Sequence, residues 1–183
     1  KASEQGRAFR SPIERDAKVV QKARQELERR KKAHSGNMSF VPDEQVDIRG
    51  VRHTWAMIYG LNVWGDYFTD RQLLALTTLT RLVEEVAIKS AKADDLGLRI
   101  ATQTVLALGV SRIADIANSF CTWKPSMTQA IHLFARQAIP MTWDFAETSL
   151  LSDAAGDYGT TIGNMLRILE GELAVGGNGK AEQ

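Results

Sequence analysis

Between residues 69 and 118 the large aliphatic side chains recur every three or four positions, a spacing that marks a helix and not a strand. Leu73, Leu76, Leu79, Val83 and Val86 fall on one helical face. Ahead of them Thr69-Asp70-Arg71-Gln72 reads as a capping box, in which a threonine oxygen and a glutamine amide exchange hydrogen bonds with backbone groups that a helix start leaves unsatisfied. Asp94-Asp95-Leu96-Gly97 breaks the pattern. A further helix over about residues 96–118 carries Ile100, Val105, Leu106, Leu108, Val110, Ile113 and Ile116 around most of its circumference, which predicts a central helix covered on several sides.

The same signals place the other elements. Ser11-Pro12-Ile13-Glu14 resembles a capping box with proline at the first helical position and predicts a helix to about Ala33. Its apolar stripe (Ile13, Ala17, Val20, Leu27) is thin, as on a helix lying along a surface. Ser126-Met127-Thr128-Gln129 predicts another helix, carrying Ala130, Ile131, Phe134 and Ala138 and ended by Pro140. The last runs from about Tyr158 to Leu173 with Ile162, Met165, Leu166 and Leu169 on one side. Residues 34–68 read as irregular. Alternation at Val46 and Ile48, with strand formers from His53 to Tyr59, suggests a short β-hairpin near residues 46–59. The expected fold is mainly α: a compact bundle of about five helices. Residues 1–34 form a basic N-terminal helix or linker, 35–173 the helical domain, and 174–183, with Gly176-Gly177-Asn178-Gly179, a disordered tail or linker.

A chain of 183 residues, 44% hydrophobic, is long enough for one ordinary core. No apolar run approaches the roughly 18 residues of a membrane-spanning helix. The single cysteine, Cys121, excludes an internal disulfide and a multi-cysteine zinc site. The chain opens on Lys1 rather than Met and reads as an internal piece of a larger protein. Net charge is +1, unevenly spread: residues 1–34 carry +6 and the remainder −5. Arg29-Arg30-Lys31-Lys32 sits at a helix C-terminus, where the macrodipole favours cations. It reads as a solvated helix end or as a sequence-independent contact to nucleic-acid phosphates.

Chemistry-bearing residues gather in three aromatic clusters at helix ends: Trp64-Gly65-Asp66-Tyr67-Phe68, Cys121-Thr122-Trp123-Lys124-Pro125, and Trp143-Asp144-Phe145-Ala146-Glu147. In one reading the rings plug a bundle end while the carboxylates cap helices or pair with arginines. In the other the three loops share a groove where rings stack on an unstacked base. Arg112 and Asp115 on an apolar helix, and Arg136 on the next, need partners. The expected outcome is an internal ion pair of Arg112 or Arg136 with Asp66 or Asp144, and a phosphate contact is the alternative. His34, His53 and His132 lack metal-ligand spacing, and Cys121 has no adjacent base. The sequence contains no Gly-rich dinucleotide motif after a strand, no P-loop, no serine elbow and no HExxH. Its four isolated prolines exclude an Asp-Pro-Pro-Tyr loop.

Two blocks nonetheless form a known pair. Tyr59-Gly60-Leu61-Asn62-Val63-Trp64-Gly65-Asp66-Tyr67-Phe68-Thr69-Asp70-Arg71-Gln72-Leu73-Leu74-Ala75-Leu76 and Phe134-Ala135-Arg136-Gln137-Ala138-Ile139-Pro140-Met141-Thr142-Trp143-Asp144-Phe145-Ala146-Glu147 resemble the middle region of large bacterial adenine-specific DNA methylases. These enzymes are often annotated with a zinc ribbon and encoded in phage-defence clusters. Arg112-Ile113-Ala114-Asp115 and the stretch from Asn118 to Ser126 match the same pattern, so the resemblance covers about residues 59–170. It implies a helical insert of an S-adenosylmethionine-dependent N6-adenine methyltransferase, lying between a cofactor-binding glycine motif and an Asp-Pro-Pro-Tyr loop. This chain has neither and is expected to be inactive alone. The implied setting is bacterial cytoplasm, with S-adenosylmethionine as the parent's cofactor, and DNA and the rest of the methyltransferase as partners. The residues expected to face DNA or substrate are Trp64, Asp66, Arg71, Trp123, Lys124, Arg136, Trp143 and Asp144, with Arg29, Arg30, Lys31 and Lys32 as phosphate contacts. The alternative is a non-catalytic helical module that docks partner proteins of the defence system.

Overall fold

The computed structural model describes residues 10–47, 55–90, 95–134, 139, 141–152 and 156–175. Five α-helices and one two-stranded hairpin make up its regular structure: α1 (Glu14–Ala33), α2 (Trp55–Ile58), α3 (Asp70–Ser90), α4 (Leu96–Ala114), β1 (Thr122–Lys124), β2 (Gln129–Ile131) and α5 (Tyr158–Val175). The mainly helical fold expected from the periodicity is the one observed.

The long helices begin where carboxylates and amides satisfy their first backbone donors. At α3 the Thr69 N–H donates to Gln72 Oε1 (2.8 Å) and the Gln72 N–H to Thr69 Oγ1 (3.3 Å), the reciprocal box read from sequence. Asp95 accepts from the Leu98 N–H (2.8 Å) to start α4. Asp157, buried at 2% exposure, accepts from the Thr160 N–H (2.6 Å) to start α5. At α1 the expected cap moves: Ile13 is the flanking residue, and Asp16 rather than Ser11 or Glu14 closes the turn, accepting from the Ile13 N–H at 2.9 Å. Arg10 holds that carboxylate through two bonds of 2.6 and 2.8 Å and lowers its pKa.

Helix α4 packs between α3 and α5, and α1 lies against α3. Tyr158 donates its hydroxyl to the Leu106 carbonyl at 3.2 Å and Ile162 lies against Gly109, so α5 packs along α4. Gly109 is the point of close approach: a Cβ there would sit 2.5 Å from Ile162 Cδ1. The core of this layer is Ile113, Ala117 and Leu150, flanked by Ala75, Leu76, Leu79 and Tyr158. Helix α1 docks through Ala23 and Leu27, with Arg30 donating to Thr78 Oγ1 at 2.7 Å. Of the stripe expected on α1 only Leu27 is buried, because the helix meets α3 along its C-terminal half.

Three local expectations are corrected. The first is the extent and cover of α4. It ends at Ala114, not Asn118, because the Asn118 amide donates to the carbonyls of Ala114 (2.9 Å) and Asp115 (3.2 Å) and turns the chain. Nor is it covered on several sides. Leu96, Leu98, Ile100 and Leu108 are all more than half exposed, since α3 and α5 cover only its two flanks.

The second is the helix expected from Ser126. Among the described residues, 122–131 form the hairpin instead, with Thr122 opposite Ile131 and Lys124 opposite Gln129. A single 3-10 turn, Pro125–Met127, and Thr128 at φ 47° close it. A helix from Ser126 would need the N–H groups of residues 133 and 134 for its own ladder. Here the Leu133 N–H donates to the Asp115 carbonyl (2.8 Å) and the Phe134 N–H to the Asp115 carboxylate (3.1 Å).

The third is the hairpin expected near residues 46–59. The described part of that stretch holds the one-turn helix α2, next to an isolated bridge between Gln45 and Val63, and residues 48–54 lie outside the described residues. Among the described residues the hairpin of the fold lies at 122–131.

Candidate functional site

The three aromatic clusters meet in one corner of the molecule. The Ser119 N–H and hydroxyl both donate to the Tyr67 carbonyl (2.8 Å each), tying the second cluster to the first. The Ala146 N–H donates to the Cys121 carbonyl (2.7 Å) and the Thr142 hydroxyl to the Phe120 carbonyl (3.2 Å), tying the third to the second. Beneath these bonds lies a second core, built from Val46, Ala56, Tyr67, Phe120, Leu133 and Ile139. Tyr67 and Phe120 meet edge to face at 4.7 Å.

The first cluster owes its shape to a single 3-10 turn, Trp64–Tyr67. Asp66 accepts from the N–H groups of Asn62 (2.8 Å) and Val63 (3.0 Å), so its carboxylate caps that turn, while Arg112 pairs elsewhere. Gly65 lets the turn press onto residues 42–45: its N–H donates to the Pro42 carbonyl (2.8 Å), and a Cβ would lie 2.6 Å from that oxygen. Burial and the neighbouring Asp66 charge push the Tyr67 hydroxyl pKa up, and among the described residues the buried hydroxyl has no hydrogen-bond partner.

On this scaffold the tryptophans stand at the surface. Trp64 is 38% exposed with its ring edge-on to Tyr67 at 5.3 Å, and Trp143 is 73% exposed and edge-on to Tyr59 at 4.6 Å. Trp123 and Lys124 are exposed on β1, and Asp144 is exposed beside Trp143. Arg136 lies outside the described residues. Arg71 pairs with Glu147 at 2.8 Å, joining the start of α3 to the third cluster. Glu147 is the partner the sequence did not single out, although it stands in the quoted cluster. A cleft of about 350 Å³ opens beside this pair, lined also by Gln72, Ala75, Thr148 and Leu150.

The charge on α4 is resolved locally as well. Arg112 donates to Asp115 at 2.7 Å, three residues on, so the expected pairing with Asp66 or Asp144 is not the one formed. His132 Nδ1 approaches the same carboxylate at 3.6 Å. Cys121 donates its Sγ–H to the Ile116 carbonyl at 3.0 Å, and burial raises its pKa, so it is a packed thiol and not a nucleophile. Of the basic run, Arg29 and Arg30 both reach Glu26 (2.7 Å each) and Lys31 reaches Glu28 (3.0 Å). A phosphate would have to compete with these pairs.

Among the described residues no group of three or more His, Cys, Asp and Glu side chains could hold a metal ion, and no helix is long and apolar enough to cross a membrane. Comparison with protein-family models, curated proteins and solved structures finds no match to this chain.

Proposed function

We propose that this chain is a helical region of a larger S-adenosylmethionine-dependent N6-adenine DNA methyltransferase of the bacterial cytoplasm, and that its aromatic corner faces DNA or the displaced base. One observation carries the reading. The described parts of the separate blocks that resemble that family lie together in one corner, joined through Tyr67, Phe120, Cys121 and Ala146. Accidental similarities scattered over a chain have no reason to converge in space. Exposed indoles at Trp64, Trp123 and Trp143 are the side chains a protein uses to stack on an unpaired base. The cleft beside Arg71 is lined by the Arg71–Glu147 ion pair, by Gln72, Thr148 and Ser149, and by Ala75, Leu150 and Leu151, with no aromatic ring on which an adenosyl group would stack, so its lining does not assign it to the methyl donor. Donor binding is assigned to the remainder of the parent enzyme.

The test is a gel shift of this chain on a short duplex carrying one unpaired adenine, at 50 and 200 mM salt on the usual scale of phosphate-dependent binding. Trp143→Ala is expected to weaken binding about 5- to 100-fold, the worth of one base–aromatic stack. Because the ring is mostly exposed, stability should shift by less than about 0.5 kcal/mol. No binding at the lower salt, or unchanged affinity in Trp143→Ala and Trp64→Ala alike, would reject the DNA-facing role. The second reading, a docking module for partner proteins, is favoured by the bare aliphatic surface of α4. It predicts capture of a partner subunit with no DNA shift.

A further inference from the structure

The cleft between the start of α3 and residues 147–151 has in its wall a hydrogen-bond donor that the fold leaves unused. Gln72 lines the cleft and is 2% exposed. The Thr69 N–H donates to Gln72 Oε1 at 2.8 Å, which fixes the orientation of the amide and leaves Nε2 as its other end. Nε2 is buried and has no partner among the described residues. The helix cap needs only the oxygen, and a glutamate here would close the same box without burying a spare donor. A buried N–H without an acceptor costs stability, and native structures keep few of them. The Gln72 nitrogen therefore marks a place where an acceptor comes from outside the chain.

The other lining groups narrow that acceptor to one chemical class. Arg71 donates to Glu147 Oε2 at 2.8 Å, while Glu147 Oε1 accepts no hydrogen bond among the described residues. The ion pair cancels its own charge, so the cleft favours a neutral guest. A carboxylate would be set against Glu147, and an ammonium against Arg71 and the Gln72 amide. A carboxamide meets both sides, with a carbonyl to accept from Gln72 Nε2 and an N–H to donate to Glu147 Oε1. Ala75, Leu150 and Leu151 add apolar surface for an aliphatic group beside it. The volume, about 350 Å³, is at the lower end for ligand pockets and suits a guest of amino-acid size.

We propose that this cleft binds a neutral carboxamide carried next to a branched aliphatic group, either a free small amide or a leucine-type unit of a peptide. Gln72 Nε2 donates to its carbonyl and Glu147 accepts from its N–H. Solvent does not reach Nε2, so entry requires lining side chains to shift. Arg71, with its side chain 40% exposed, and Leu151, at 85%, have that freedom. This inference does not depend on the methyltransferase reading, since the exposed indoles play no part in it and a failed DNA shift would leave it standing.

The probe is N-acetylleucinamide, titrated into nitrogen-15-labelled protein and followed by NMR. The Gln72 side-chain NH2 signals should move with a Kd of about 0.1–10 mM, ordinary for so small a guest. Isovalerate and isoamylamine, its charged counterparts, should bind roughly tenfold more weakly or worse. Gln72→Glu keeps an oxygen for the Thr69 N–H and places an acid at a helix start, so α3 stays capped. It removes the donor and should weaken N-acetylleucinamide about tenfold. Leu151→Ser, at an exposed position, should weaken it about threefold without changing the melting temperature. A leucine flanked by two alanines, acetylated and amidated at its ends, separates the two sources. Tighter binding than N-acetylleucinamide assigns the cleft to peptide, and equal or weaker binding to a free amide. Gln72 signals that stay in place up to about 50 mM probe, well above the expected range, overturn the proposal and leave Nε2 to an ordered water. So does unchanged affinity in Gln72→Glu, or isovalerate binding as tightly as the amide.

Discussion

The aromatic corner and the helical layer are both apolar, yet they treat that surface in opposite ways. The corner is assembled from loops, one-turn helices and a short hairpin, and it closes around Tyr67 and Phe120, each 2% exposed. The layer is built from long, well-capped helices and leaves Ile100, Leu108 and Ile168 more than half exposed. Regular structure satisfies its own backbone and can form with one side bare. Irregular chain cannot, because its N–H and C=O groups need partners from distant segments, and gathering those segments encloses side chains. The bonds from Ser119 to Tyr67 and from Ala146 to Cys121 do that work here. The corner therefore depends on tertiary contacts throughout, and the layer mainly on local ones.

The sharpest way to break this contrast is Phe120→Ala. Removing a fully buried ring from the centre of the corner should cost about 3–5 kcal/mol. If the two regions are as separable as their construction implies, thermal denaturation will show loss of near-ultraviolet tryptophan signal before loss of helical signal. One coincident transition would mean that the corner holds the layer together.

Gly109→Ala probes the layer. Its Cβ would press on Ile162 Cδ1 at 2.5 Å and on the Tyr158 ring at 3.2 Å. Overpacking, roughly 1–3 kcal/mol, should outweigh the gain of about 1 kcal/mol in helix propensity. Ile162→Val removes the clashing methyl, so in that background the same glycine change should become stabilising in urea titrations.

Thr69→Ala removes one arm of the α3 cap and is expected to cost about 1 kcal/mol, with the Gln72 arm retained. The effect should appear in melting temperature and leave the fold intact.

The smallest effect is the acid response of α1. Arg29 and Arg30 lower the Glu26 pKa from 4.5 to about 2. A depressed carboxylate contributes stability that is complete above its unfolded pKa and is lost as pH falls through the folded one. The end of α1 should therefore loosen between pH 4.5 and about 2, and Glu26→Gln should remove that step from hydrogen-exchange profiles. Glu26 is about a third exposed and its partners Arg29 and Arg30 lie on the same helix, so the change should stay local.

Much of the layer was legible in the sequence. The Thr69/Gln72 box, the start of α4 at Leu96 and the start of α5 at Tyr158 all fell where the structure has them, because caps and 3.6-residue periodicity act within one or two turns. The same local logic failed at Ser126-Met127-Thr128-Gln129. That motif fits a capping box, but Asp115 takes the backbone donors the helix would need. The candidate site was legible as three clusters and not as one. Nothing local indicated that Tyr67 would sit on Phe120, that Asp66 would turn inward on its own loop, or that Arg71 would choose Glu147 over Asp144.

By itself, then, the order of residues determined the four long helices, about where each starts and which of their faces are apolar. Backbone hydrogen bonding and side-chain spacing within a few residues are enough to set those. Only the tertiary structure decided which apolar face is covered, which cation meets which carboxylate, and that 122–131 turns back as a hairpin. Those outcomes depend on groups far apart in the chain competing for the same donor, acceptor or surface.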